Sequence, residues 1–96
     1  MINSKQRAYL KSLASNIDPL FQLGKSNLTP EFTNSILEAF NTHEIVKINV
    51  LKNASDDPKE MANLIADRTH AELVQVIGRK IVLYKPFKEP EIKLPK

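Results

Sequence analysis

The sequence predicts an α/β protein, a two-layer sandwich in which helices pack on a four-stranded mixed sheet. Segments with helical apolar spacing alternate with short β-rich runs, in the order α-β-α-β-α-β-β. Strands separated by helices need crossover connections, whereas the last two runs are close enough for an antiparallel hairpin. The chain has 96 residues, enough for one modest core, so we expect a single domain over residues 1–96.

The first helix is predicted over residues 5–15, with Ser4 as its N-cap and an approximate apolar stripe along one side. Asp18-Pro19 should end this segment, because proline disfavours helical backbone in the residue before it. Residues 20–23 then form a short apolar run typical of a buried strand. That strand leads into the loop Gly24-Lys25-Ser26-Asn27.

The second helix should begin at Thr29-Pro30, since threonine is a good N-cap and proline suits the first helical position. Its apolar spacing continues to about Thr42. Residues 44–52 alternate as a strand does. Every second residue from Val46 to Val50 is apolar and should face the core, while the face that carries Lys47 is expected to meet water.

The third helix has a start that resembles a capping box, Asp57-Pro58-Lys59-Glu60. Two β-rich runs follow at residues 71–77 and 81–85, joined by the hairpin connection Gly78-Arg79-Lys80. Residues 86–96 contain three prolines among alternating charges. We expect them to form an extended basic tail that is at most partly docked.

The composition excludes several classes of function. The absence of cysteine rules out disulfides, thiolate catalysis and cysteine-based zinc sites, and is typical of a cytoplasmic protein. No apolar run approaches the ~18 residues that span a bilayer, and the polar start of the chain does not resemble a secretory leader. We therefore expect a cytoplasmic protein with no membrane partner.

No arrangement of side chains predicts catalysis or a cofactor. His43 and His70 are isolated near helix ends, where hydrogen bonding to terminal carbonyl groups is their usual role. The adjacent Asp56 and Asp57 are explained by solvent exposure and helix capping. With no nucleophile, metal set or paired carboxylates, we expect a protein that is not an enzyme and that uses no metal, cofactor or small-molecule substrate.

Charge is unevenly distributed along the chain. Residues 1–30 carry four basic residues and one acidic residue, residues 76–96 carry six and two, and residues 31–75 carry four and eight. Basic ends around an acidic middle favour one surface that faces a polyanion. The alternative is that the uneven charge serves solubility alone.

The loop at Gly24 is the strongest candidate for an anion-binding element. A glycine permits a sharp turn and lets backbone N–H groups approach an anion, and Lys25 adds a mobile cation. The spacing is neither that of a Walker A loop nor that of a dinucleotide-binding fingerprint. Pro30 has no N–H and Glu31 would repel phosphate, so the loop should contribute more than the helix end. Alternatively, the loop is only a turn.

Several longer segments together resemble the CRM domain, which takes its name from chloroplast RNA splicing and ribosome maturation, in its stand-alone bacterial YhbY-type form. The matching segments are Gln6-Arg7 through Leu13-Ala14, Leu23-Gly24-Lys25 with Leu28-Thr29, His43 through Ile48, Val74 through Arg79, Val82 through Pro86, and the closing Ile92 through Lys96. The resemblance implies a fold similar to the C-terminal domain of translation initiation factor three. It also implies RNA binding through a GxxG loop like that of KH domains, and association with precursors of the large ribosomal subunit.

The sequence departs from this family pattern at the second loop glycine, where Asn27 stands. Asparagine tolerates left-handed backbone better than other non-glycine residues, so the turn can survive while close approach of RNA backbone at this position becomes harder. With the resemblance, we expect a monomeric protein that binds ribosomal RNA in the pre-50S particle and assists ribosome assembly. The expected RNA contacts are Gly24, Lys25, Ser26 and Asn27, supported by Lys5, Lys11, Lys47, Arg79 and Lys80. The alternative is a protein-interaction module of the ribosome or translation machinery, in which the polar strand face or the acidic middle binds a partner.

Overall fold

The computed structural model describes residues 2–24, 29–52 and 57–96. Its elements follow the predicted order and confirm the α/β class. Their bounds are α1 Ser4–Ala14, β1 Phe21–Leu23, α2 Pro30–Ala39, β2 Ile45–Val50, α3 Pro58–Thr69, β3 Glu72–Ile77 and β4 Lys80–Tyr84.

The four strands form one sheet in the spatial order β1-β2-β4-β3. β1 runs parallel to β2, while β4 is antiparallel to both of its neighbours, which confirms the predicted mixed sheet. The β3–β4 connection is the two-residue turn Gly78-Arg79, where Gly78 has a φ of +58°. Glycine adopts this left-handed conformation without the steric cost that a Cβ would add.

One face of the sheet packs against α2 and α3 through a large apolar cluster. Its inward strand positions include the alternating residues of β2 that the sequence predicted. The buried members are Leu23, Ile36, Phe40, Val46, Ile48, Val50, Met61, Ala62, Ile65, Ile81 and Leu83. Burial of so much hydrocarbon makes this the main core.

The opposite face is also covered, by α1 and the C-terminal tail. Their cluster has the buried members Ile2, Leu10, Ala14, Ile45, Val74, Val82 and Tyr84, with Ile92 and Leu94 of the tail packed against it. Because α1 crosses this face, the expectation that the Lys47 side of β2 meets water is wrong. α1 and the tail thus add a third layer to the two that were predicted.

The helix starts show which capping predictions hold. Asn3, not Ser4, caps α1, because its side chain pairs reciprocally with Gln6 in a capping box. Thr29 caps α2 as predicted, accepting a hydrogen bond from the Phe32 N–H at 3.1 Å. Asp57 precedes α3 as predicted, but its side chain makes no capping hydrogen bond.

The tail is attached more extensively than the sequence suggested, through the buried carboxylate of Glu44. This side chain is only 5% exposed. Its two oxygens accept three backbone N–H groups, from Phe87 at 2.9 Å, Glu91 at 2.9 Å and Ile92 at 2.7 Å. Farther along, the Gln6 side chain donates to the carbonyl oxygen of Pro95. The tail has no regular secondary structure, yet its backbone is fixed to the sheet and to α1.

Candidate nucleic-acid interface

Gly24 lies at the end of the sheet where β1 and β2 both terminate. The two strands are parallel, and the Leu51 N–H donates to the carbonyl oxygen of Leu23 at 2.8 Å, directly before Gly24. Lys80 starts β4 at the same end, opposite Asn49. The structure therefore brings Gly24 and Lys80 to one end of the sheet. Lys25, Ser26 and Asn27 lie outside the described residues.

Arg79 shares this end but is half-buried and bonded to the backbone. Its Nε donates to the carbonyl oxygen of Val50 at 3.0 Å and its Nη2 to that of Leu51 at 2.8 Å. In return, the Val50 N–H donates to the carbonyl oxygen of Arg79. Arg79 thus uses two of the five guanidinium N–H donors to hold the hairpin against the end of β2. Lys80, by contrast, is exposed.

The start of α2 has little hydrogen-bonding capacity left for an anion. Pro30 has no N–H, and the Phe32 N–H is already bonded to the Thr29 hydroxyl oxygen. Glu31 adds a negative charge in the first turn. These contacts agree with the sequence argument that the loop, rather than the helix end, is the better place for phosphate.

Lys47 is far less available than its predicted role as a phosphate contact requires. Its ammonium group donates to the carbonyl oxygens of Ala14 and Ile17, both at 3.1 Å. These carbonyls lie at and just beyond the C-terminal end of α1, where a cation is favourable. Lys47 therefore joins β2 to α1 with two of its three N–H donors.

Lys5 and Lys11 are both exposed on α1 but do not share a face. Six residues of α-helix separate them by about 120° around the axis, whereas Arg7 and Lys11 differ by only about 40°. Lys11 lines an open groove along β3, together with Arg7. The predicted contacts thus fall into different places: Gly24, Arg79 and Lys80 at one end of the sheet, Lys11 in the groove, Lys47 beneath α1, and Lys5 apart.

The groove along β3, called the β3 groove below, has a volume of about 640 Å³. Its charged lining consists of Arg7 and Lys11 from α1, Lys59 from α3, and Glu72 from β3. The Arg7 guanidinium donates to the carbonyl oxygens of Leu73 and, at 3.1 Å, Val74. Arg7 and Lys59 were not among the RNA contacts predicted from the sequence. The four-residue spacing of Arg7 and Lys11 was the available signal, but only the fold shows that α1 and α3 flank the same strand.

The described residues contain no group of three or more His, Asp or Glu side chains arranged to hold a metal ion. The two histidines, within this part of the chain, are engaged in local contacts. The His43 ring nitrogen lies 3.3 Å from the carbonyl oxygen of Ala39, while His70 is the left-handed C-cap of α3. In the same described ranges, no helix is long and apolar enough to cross a bilayer.

Known proteins match this chain over almost its full length. The CRS1 / YhbY (CRM) domain family matches residues 2–85. The Bacillus subtilis (strain 168) protein named Probable RNA-binding protein YqeI is 38% identical over 96 residues, covering 99% of this chain and 100% of that relative. A Haemophilus influenzae protein named RNA-binding protein is 36% identical over 95 residues, covering 99% of this chain and 96% of that relative.

A solved structure supports the same relationship. It is the solution structure of SAV1595 from Staphylococcus aureus, a hypothetical protein described as a candidate RNA-binding protein. It shares 44% sequence identity with this chain at a TM-score of 0.83, covering 99% of this chain and 100% of that one. The fold is therefore one that a close relative adopts. The expected likeness to the C-terminal domain of translation initiation factor three stays a prediction.

Proposed function

The chain belongs to the CRS1 / YhbY (CRM) domain family, and from this premise we propose that it is an RNA-binding protein. We further propose that it binds ribosomal RNA in precursors of the large subunit, in the cytoplasm, and assists their assembly without catalysing a reaction. The observation that carries RNA binding is the full-length similarity to relatives named as RNA-binding proteins. The exposed cations at the end of the sheet and in the β3 groove provide the matching chemistry.

In the proposed mechanism, the segment from Gly24 to Asn27 grips RNA phosphates through backbone N–H groups and the Lys25 ammonium group. Lys80, exposed at the same end of the sheet, adds a second cation. Arg79 acts mainly by fixing the hairpin that presents Lys80, since two of its N–H donors are bonded to β2 and Leu51. Lys47 acts in the same indirect way, by fixing α1 on the sheet.

Such contacts supply affinity rather than sequence choice, because phosphates are the same at every position. Specificity for one ribosomal RNA segment would then come from its folded shape and its unpaired bases. Lys5 and Lys11, exposed on different sides of α1, extend the cationic surface beyond the loop.

Lys25→Ala tests the loop. We expect this variant to bind every RNA more weakly and to flatten the log–log salt dependence of binding by roughly one unit, since one phosphate contact is lost. The measurement is filter binding to large-subunit ribosomal RNA fragments at several salt concentrations. Lys88→Ala, at an exposed tail position, is the matched control and should leave the slope unchanged. An unchanged slope in Lys25→Ala would remove Lys25 from the interface.

Crosslinking in cells, followed by sequencing of the attached RNA, tests the ribosomal assignment. We expect reads concentrated in precursors of large-subunit ribosomal RNA. Reads spread over messenger and transfer RNA would overturn the ribosomal role while leaving RNA binding in place. Failure of the purified protein to retain any RNA fragment at low and at moderate salt would instead favour the protein-interaction alternative.

A further inference from the structure

The β3 groove lies along an edge of the sheet and is bordered by two helices. β3 is the last strand in the spatial order, so none of the described strands pairs with its outer edge. α1 approaches from one face and α3 from the other, because their apolar residues belong to the two separate clusters.

An open edge strand commonly binds a peptide that adds a further strand, but Arg7 opposes this here. Its guanidinium occupies the carbonyl oxygens of Leu73 and Val74. The strand also bulges at this point, since the register with β4 shifts between Leu73 and Gln75. A bulge and a bound guanidinium both interrupt the regular ladder that an added strand would need.

The charges around the groove favour a polyanion. Lys11 stands on the α1 side and Lys59 on the α3 side, and both are exposed. Among the lining residues that the structure describes, Glu72 is the one carboxylate, at the start of β3, away from the end where Ile77 lies. Cations on both walls attract a phosphodiester chain running between them.

The remaining lining suits bases that are not paired. Ile77 is 58% exposed and offers an apolar surface, and Gln75 offers an amide donor and acceptor. Asn63 offers its amide oxygen, while its Nδ2 donates to the carbonyl oxygen of Lys59 at 3.0 Å. Unpaired bases in RNA are recognised by this combination of apolar contact and hydrogen bonding along their edges. The volume of about 640 Å³ lies within the range of small-molecule binding sites, which suits a ligand of nucleotide size.

We propose that the β3 groove binds an unpaired segment of RNA, with phosphates at Lys11 and Lys59 and a base against Ile77. This inference rests on the proposed RNA-binding function, and it specifies that the β3 groove prefers unpaired RNA. The groove is separate from the loop at Gly24, which would contact phosphates of paired and unpaired RNA alike.

The test uses the full chain with two probes, hexauridylate as unpaired RNA and a blunt RNA duplex of twelve base pairs. Lys11→Gln/Lys59→Gln removes the two exposed lysines of the groove and keeps Arg7, which is bonded to β3. Lys88→Gln/Lys93→Gln removes two exposed tail cations outside the groove lining and is the matched control. Affinities are measured by fluorescence anisotropy, and amide chemical shifts of Gln75, Val76 and Ile77 are followed by NMR. Thermal unfolding of each variant verifies that it is folded.

We expect hexauridylate to shift the three β3 amide signals, and the groove variant to bind it roughly tenfold more weakly while its duplex affinity changes far less. Unperturbed β3 amides, or equal weakening for both probes, would overturn the groove as a site for unpaired RNA. Hexauridylate affinity that is unchanged in the groove variant but weakened by Lys25→Ala would overturn the groove alone and keep the proposed function. Absence of binding to either probe by the unmodified protein would overturn both.

Discussion

The two faces of the sheet are held by different physical means. The face under α2 and α3 is packed mainly by hydrocarbon, around residues such as Ile48 and Ile65 that are fully buried. Its fully buried Thr69 hydroxyl bonds within α3, to the carbonyl oxygen of Ile65. The face under α1 and the tail has a smaller apolar cluster and depends on charged side chains that bind backbone groups. There, Lys47 bonds to α1, Glu44 to the tail and Arg7 to β3.

The two kinds of interaction serve different purposes in this small domain. Hydrophobic burial is non-directional and tolerates many sequences, so it suits the larger core. Charged hydrogen bonds are directional and fix α1 and the tail in one position. Some cations of the second face, such as Lys47, are bonded to backbone, whereas others, such as Lys11, are exposed. The proposed RNA contacts depend on the exposed ones.

The largest effect should come from the apolar face. We expect Ile48→Ala to lower the free energy of unfolding by about 2–5 kcal/mol, because the side chain is fully buried and its removal leaves a cavity. Urea denaturation measures this loss. Leu64→Ala, at an exposed position on α3, is the control and should change stability by less than about 0.5 kcal/mol. Equal effects of the two substitutions would show that the α2/α3 face is not the main core.

Glu44→Ala tests the face under α1 and the tail, at the carboxylate that accepts three backbone hydrogen bonds. We expect the free energy of unfolding to fall by about 2–3 kcal/mol, because three backbone N–H groups lose a charged acceptor. Hydrogen exchange should accelerate at the Phe87, Glu91 and Ile92 amides. Glu38→Ala, an exposed glutamate on α2, is the control. If exchange at these amides stays slow in Glu44→Ala, the apolar contacts of Ile92 and Leu94 hold the tail instead.

Lys47→Met tests whether the ammonium group of Lys47 stabilises the fold. Methionine keeps most of the apolar stem but loses the two hydrogen bonds to the carbonyl oxygens of Ala14 and Ile17. We therefore expect the free energy of unfolding to fall by about 1–2 kcal/mol. Urea denaturation measures it, with exposed Lys52→Met as the control. An unchanged stability together with a flatter salt dependence of RNA binding would instead make Lys47 a direct phosphate contact.

The smallest expected effect is a dependence on alkaline pH. Burial, and secondly the charge of Glu44, raise the pKa of Tyr84 above its ordinary value of 10.0. The folded state therefore keeps the phenol proton at a pH where the unfolded chain has lost it, so stability falls as the pH rises above 10. Tyr84→Phe should lack this part of the decline in urea denaturation between pH 8 and pH 11. Identical pH profiles of the two proteins would contradict the assignment.

Local patterns predicted most of the fold. The alternation of β2 and the Thr29-Pro30 start of α2 depend on neighbouring residues, and both hold. The cap of α1 was misplaced by one residue, because Asn3 and Ser4 are both good caps and the pairing with Gln6 selects Asn3. The loop residues 25–27, on which the proposed interface depends most, stay a prediction from sequence.

Neighbouring residues and ordered segments were enough to predict the order of the elements, the apolar side of β2 and the resemblance to a family. Which charged groups are bonded to backbone, and which stay exposed, follows only from the folded chain. Arg7 meets Leu73 across 66 positions of chain, and Glu44 meets Phe87 across 43. No local spacing encodes such pairings, because they form only when packing of the sheet brings distant backbone groups within hydrogen-bonding distance.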